Sequence, residues 1–226
     1  LNRFAPSEKT IEASNQALAA VQKSDSLVER ANVIFGTGFV HLHAGEHTTA
    51  NDLITQSLEL SRRSGDRTQQ ARCLAYLTIV NRKTGDLQKV EKYLSETLEI
   101  CKAMNMREYV AVVLANRSWI AWKKGRQQAA IELSEEALEE WRKHSPKYPF
   151  KWLALMQLIE IEHAKEHQGR ADKRIQQLLD PANAKLIGGV EASLQESISR
   201  YAAGSTEKAN SSLVSALDLA REAGYL

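Results

Sequence analysis

Five glycines set the rhythm of this chain. Gly45, Gly85, Gly125, Gly169 and Gly204 each close a stretch of helical apolar periodicity, at spacings of 40, 40, 44 and 35 residues. A polar residue and a second amphipathic stretch follow each one. Glycine takes the left-handed conformation that ends a helix without a Cβ penalty, so each position can turn the chain back on itself. The segments after the turns copy one another. Ala130, Ala137 and Leu138 follow Gly125 as Ala209, Ala216 and Leu217 follow Gly204. Val90, Thr97 and Leu98 follow Gly85, and Ala50, Ser57 and Leu58 follow Gly45, at the same offsets. Small or slim residues at these places let two helix backbones approach, and leucine fills the space beside them. One helix pair cannot bury both of its faces, so pairs must stack.

Helices are expected over 7–23, 27–44, 47–63, 67–84, 87–104, 107–124, 127–144, 150–168, 171–179, 189–203 and 206–223. Asp180 and Pro181 end one of them, because proline disfavours helix in the residue before it. Residues 182–188 form the one longer internal connection, and no segment alternates as a strand does. The 4 prolines and 11 glycines suit long helices with short turns. The expected architecture is all-α, about eleven helices in antiparallel pairs, read as a single solenoid domain over 1–226. The first helix reads as the second half of a repeat. With Leu1 in place of an initiating methionine, this gives the expectation that the chain is part of a larger protein.

The pattern resembles the tetratricopeptide repeat. That motif has glycine at the inter-helix turn, small residues five and twelve positions later, and another small residue seven positions earlier. Gly38, Thr78 and Ser118 occupy the last of these. The resemblance covers the chain from about Ser26 onward. It implies a right-handed superhelix and a role in holding a partner rather than in catalysis. The usual period of about 34 residues is exceeded and the closing proline is missing, so the chain resembles a longer-helix variant. The last third, from Gln177-Leu-Leu-Asp-Pro181 through Gly204 to Ala223-Gly-Tyr-Leu226, is similar to the C-terminal arrays of bacterial STAND-type signalling ATPases and cyclases. The 40-residue period and Leu60-Ser-Arg-Arg-Ser-Gly-Asp66 are also similar to the sensor arrays of maltose-type transcription activators. In such proteins the array senses and catalysis sits elsewhere. No phosphate-binding G-x-x-x-x-G-K-[ST] loop occurs here.

The resemblance implies that the inner groove is lined by residues six and three before each turn glycine. Phe39, Ile79, Arg82, Trp119, Trp122 and His163 fall at such positions, and Phe35, Lys83, Lys123 and His167 adjoin them. The expectation is an aromatic floor with a basic rim. Its partner would be a protein or peptide, another domain of the same parent chain, or a small effector. Phe35 and Phe39 stand where a chaperone-tail receptor of this class places its first lysine and asparagine, so a chaperone C-terminus is not implied. Against the groove reading, aromatic residues at helical spacing also suit a core. The net charge of +2, from 30 basic and 28 acidic residues, gives no field for nucleic acid. No apolar run approaches the ~20 residues of a membrane span. Cys73 and Cys101 lie in helical patterns and read as reduced, buried thiols of a cytoplasmic protein.

Two motifs carry possible chemistry. His163-Ala-Lys-Glu166-His167 matches H-x-x-E-H. On one helix its histidines would share a face and could bind zinc with the glutamate as base, a metal-dependent hydrolase reading. It needs a third ligand, for which Glu191 and Glu196 qualify only by charge, and a supporting sheet. His41, His43 and His47 cluster about Gly45, where the turn breaks helical geometry. Phe35-Gly-Thr-Gly-Phe39 contains G-x-G within a helix rather than after a strand, so it is no dinucleotide loop. The sequence therefore predicts a non-enzymatic module without cofactor or metal, and self-association of the array is the remaining alternative.

Overall fold

The helices form almost where the periodicity places them. A computed structural model describes residues 6–187 and 189–226; Leu1 and residue 188 of the expected connection lie outside them. Among the described residues there are eleven helices and no strand. They are α1 (Glu8–Val21), α2 (Leu27–His43), α3 (His47–Ser64), α4 (Arg67–Lys83), α5 (Leu87–Ala103), α6 (Arg107–Lys123), α7 (Gln127–His144), α8 (Trp152–Ala164), α9 (Gln168–Leu178), α10 (Val190–Ala202) and α11 (Thr206–Glu222). The chain is an all-α helical repeat. It divides into two units, Leu1–Val110 and Ala111–Leu226. The first turn of α6 belongs to the first unit and the rest of that helix to the second.

One hydrogen-bond pattern builds the turns within pairs. At Gly85 the glycine N–H donates to Arg82 O at 3.0 Å and the next N–H, of Asp86, donates to Asn81 O at 2.8 Å. The same two bonds recur at Gly45, Gly125 and Gly204, each glycine at positive φ. These bonds satisfy the last carbonyls of the preceding helix, which have no partner inside it. Gly65 and Asn105 close second helices in the same way.

The expected turn at Gly169 is a correction. The pattern falls three residues earlier, where Glu166 N–H donates to His163 O at 2.9 Å and His167 N–H to Glu162 O at 2.9 Å. Glu166 takes φ 57°, and Gly169 lies in the first turn of α9. The turns then stand at 45, 85, 125, 166 and 204, a more even spacing than the glycines alone suggest. Stacking sets this position, since Ala171 and Leu178, five and twelve residues on, are buried where the other copies bury theirs. A Cβ in the left-handed region costs about 1 kcal/mol. Glu166→Gly is therefore expected to stabilise the protein by roughly that amount, read as a rise in the urea midpoint. No rise would mean that the turn relaxes around the side chain.

Within each unit the pairs meet at the small positions. Ser118 Oγ donates to Ala130 O at 2.7 Å, and Ser197 Oγ to Ala209 O at 3.0 Å. Gly38 occupies the equivalent place on α2. A Cβ there would stand 2.8 Å from Ile54 Cγ1 and 3.4 Å from Ala50 O, so α2 and α3 touch through bare backbone. Around these contacts the first unit buries Ala31, Ile34 and Leu60, with Leu18, Leu27 and Leu53 packed on them. The second buries Ala121, Ala130 and Ile161.

Two departures from regularity lie in the second unit. The connection 145–151 is held by aromatic rings: Trp141 stacks on Tyr148 at 5.2 Å, and Tyr148 meets Phe150 edge-on at 5.7 Å. The expected helix from 150 accordingly begins at Trp152. Tyr225 packs edge-on against Trp152 at 4.8 Å, and its hydroxyl accepts the Ile187 N–H at 3.1 Å. Cys73 and Cys101 are fully buried and form no disulfide. Burial pushes the Cys73 thiol up to about 11 and that of Cys101 to about 12. No helix among the described residues is long and apolar enough to cross a membrane.

Candidate functional site

In the first unit, α2 and α4 bring aromatic and cationic side chains into one continuous row. On α4, Arg72, Tyr76, Ile79 and Lys83 repeat at i, i+4, i+7 and i+11, which places them on one stripe. On α2, Phe35, Phe39 and His43 do the same at steps of four. The two stripes interdigitate. The Arg72 guanidinium lies 5.6 Å over the Phe35 ring. Phe35 meets Tyr76 edge-on at 5.2 Å, Tyr76 meets Phe39 at 5.6 Å, and Phe39 meets His43 at 4.5 Å. Edge-to-face and tilted pairs of this kind suit the ring quadrupoles and lock each rotamer.

The row is anchored at one side and open at the other. Phe35 and Tyr76 are each 8% exposed, Ile79 2% and Arg82 1%, so these four are mostly support. Phe39, His43 and Lys83 are only half-buried and present what a ligand can reach. Burial, and then the neighbouring Arg82 charge, push the Lys83 amine down to about 6. His47, at the start of α3, is pushed down by burial and by Lys83. The same face therefore carries apolar ring edges and an amine whose protonated form the fold disfavours.

The other expected groove residues belong to the second unit. Trp119 is 2% exposed, with Lys123 Nζ 5.9 Å from its ring. Trp122 is half-buried and packs on the Ala121, Ala130 and Ile161 cluster. His163 is half-buried at the end of α8, and His167 lies beyond the turn. With the turn at 166, the positions six and three before it are Glu160 and His163 rather than His163 and Glu166. The H-x-x-E-H spacing thus spans a turn, and its histidines do not share a helix face. His167 Nδ1 instead pairs with Glu162 Oε2 at 2.9 Å. The three histidines about Gly45 also diverge. His41 is buried between Glu46 Oε2 at 2.8 Å and Asn15 Oδ1 at 3.0 Å, while the His43 ring lies tilted against Phe39. Among the described residues, no three His, Cys, Asp or Glu side chains are grouped to hold a metal ion.

A cleft of about 520 Å³ in the second unit was not foreseen. Leu138, Leu155 and Pro146 give it an apolar base, and charged side chains ring it. Arg142 pairs with Glu139 at 2.6 Å and Arg174 with Glu135, while Lys151 donates to the Pro146 carbonyl at 2.7 Å. Such a rim offers little net charge to a ligand. Tyr76, Arg72 and His43 were likewise missing from the expected groove. Continuing the groove series one turn back from Ile79 along the same face would have found Tyr76.

Comparison with known proteins agrees with this geometry. Residues 29–103, which include the whole row, match the tetratricopeptide repeat family, a module that generally mediates protein interaction. Similar solved structures include the apo form of RapI, with a TM-score of 0.61 and 15% identity over 94% of this chain. The chain spans 58% of the length of RapI. BtubC (BKLC) from P. vanneervenii aligns with a TM-score of 0.58 and 16% identity, over 95% of this chain and 91% of its own. At such identities the likeness is one of fold. No curated protein matches the sequence.

Proposed function

We propose that this chain is a non-enzymatic binding module that holds a protein or peptide segment against the α2–α4 face of its first unit. The observation that carries the reading is the row Phe35–Tyr76–Phe39–His43, whose Phe39 and His43 are half-buried, with Lys83 continuing the α4 stripe beyond Tyr76 and Ile79. Rings held in fixed rotamers contribute large contact area with little ordering entropy, and binding energy concentrates on such anchors. The tetratricopeptide match over 29–103 supports the same assignment.

We place the module, as a further part of this proposal, in a bacterial signalling or transcription-regulatory protein, where the array is the sensor. Its ligand would then prefer one state of the parent and shift the balance toward it. Comparing ATP turnover of the parent with and without residues 1–226 tests that placement.

The binding face is tested directly by selecting ligands from a random-peptide library on the purified chain. Phe39→Ala is expected to weaken the selected peptides by ~2 kcal/mol, some thirtyfold, with the melting temperature little changed. Peptides that bind Phe39→Ala and His43→Ala as tightly as the parent would move the site elsewhere.

A further inference from the structure

The cleft in the second unit has a physical cause. Earlier second helices join the next first helix through two or three residues, 65–66 after α3 and 104–106 after α5. After α7 the connection runs over 145–151, and after α9 it runs through Asp180 and Pro181 to Gly189. The added residues stand between the helix ends and leave about 520 Å³ open beside Leu138 and Leu155. The walls of this space are fixed in advance. The ring stack on Trp141 holds the first connection, and the Ala184 N–H, donating to Pro149 O at 2.8 Å, ties the second connection to it. Lys151 Nζ donates to Pro146 O at 2.7 Å, and Asp180 Oδ1 accepts the Ala182 N–H at 2.8 Å. Walls already ordered spare a ligand the entropy of ordering them.

The charges on the rim divide into two kinds. Glu139 with Arg142 and Glu135 with Arg174 cancel as pairs. Lys151 and Asp180 differ: among the described residues, the side chain of each is held only by a backbone group of its own connection. Beyond those bonds the Lys151 ammonium keeps further N–H donors, and the Asp180 carboxylate keeps its second oxygen. The cleft therefore presents an apolar base with one cation and one anion uncommitted at its edge. We propose that it binds a zwitterion with an apolar side chain, a free amino acid or short peptide of the leucine type. The ligand carboxylate pairs with Lys151, its ammonium with Asp180, and its side chain covers Leu138 and Pro146 above the buried Leu155. The volume falls in the range of roughly 300–1,000 Å³ that small ligands occupy. A ligand without net charge also suits a rim whose own charges balance. A simple acid or a simple amine answers one of the two groups and leaves the other unmet. The cleft lies wholly within the second unit, so this site is separate from the face proposed on the first.

Titrating the whole chain with leucine and with the dipeptide Leu-Leu, followed through backbone amide resonances, reads the site directly. Leu-Leu is expected to shift the amides of Lys151 and Ala182. Acetylating its amine or amidating its carboxylate is expected to weaken binding by about tenfold in each case, since each removes one charged hydrogen-bonding partner. Lys151→Gln should lower the affinity for Leu-Leu to that of its amide, and leave the affinity for the amide itself as it was. Asp180→Asn should do the same toward the acetylated form. A merely structural effect of either substitution would not follow the chemistry of the probe in this way. Leucine binding as tightly as Leu-Leu assigns a free amino acid, and tighter binding of Leu-Leu assigns a short peptide. Equal affinity for all three forms of the dipeptide reduces the cleft to an apolar hollow and overturns the proposal. So does the absence of shifts at Lys151 and Ala182 with Leu-Leu at its solubility limit.

Discussion

Replacing Lys83 with methionine is expected to make the protein more stable at neutral pH and less able to hold its partner. The amine sits near 6 because burial, and then the Arg82 charge, disfavour its protonated form. The unfolded chain returns it to the ordinary lysine value of 10.5. Between these two values the unfolded state binds a proton that the folded state does not, so this group makes stability rise with pH across the window. Methionine has a similar length, no proton to lose and an apolar surface that gains from the same burial. The expected gain at pH 7 is about 2 kcal/mol, less than the full shift would convert to because solvent still reaches a half-buried amine. Urea unfolding at several pH values checks this. The advantage of Lys83→Met should be greatest at or below pH 6 and fade toward 10.5. A variant less stable than the parent at pH 7 would mean that Lys83 is a net structural contact. A stabilising change that lowers binding is the pattern of a residue retained for function.

The largest loss is expected from Trp141→Ala in the second unit. Trp141 is fully buried and forms the base of the ring stack that continues through Tyr148 to Phe150. That stack stands in for a glycine turn between α7 and α8. It also fixes Pro149, whose carbonyl accepts the Ala184 N–H at 2.8 Å and so holds the connection after α9. Removing a buried indole leaves a cavity that helices cannot fully close, at about 3–5 kcal/mol. Circular dichroism during urea unfolding measures it. Trp141→Phe keeps a ring for Tyr148 and should lose less than half as much. A loss below ~1 kcal/mol for alanine would mean that the connection is held by other contacts.

The fold was legible because its turns are written in one residue type. Gly45, Gly85, Gly125 and Gly204 all take the left-handed conformation, so four boundaries followed from steric necessity. The fifth was misread because Glu166 bears the strain that glycine would avoid, while Gly169 stands close by as a decoy. The deeper signal was the pair Ala171 and Leu178 at the offsets of the other repeats. The site was only half legible. Counting from the turns put Phe39 on the groove face with Lys83 adjoining it, but it gave Ile79, Arg82 and Trp119 the same weight, although these are buried. Position along a helix fixes direction, whereas exposure depends on what packs against that direction. The 520 Å³ cleft had no sequence signal at all, since residues from α7 to Asp180 converge on it only after stacking.

The two sealed thiols also make the molecule unusually easy to instrument. Cys73 and Cys101 are inaccessible, and their raised values leave almost no thiolate at neutral pH. A maleimide dye added to the folded protein meets no competent native target. A single cysteine introduced on an exposed helix face can therefore be tagged with both native ones in place. Whatever slow background labelling persists comes from openings of the first unit, where both thiols lie, so it serves as a clock for that unit alone.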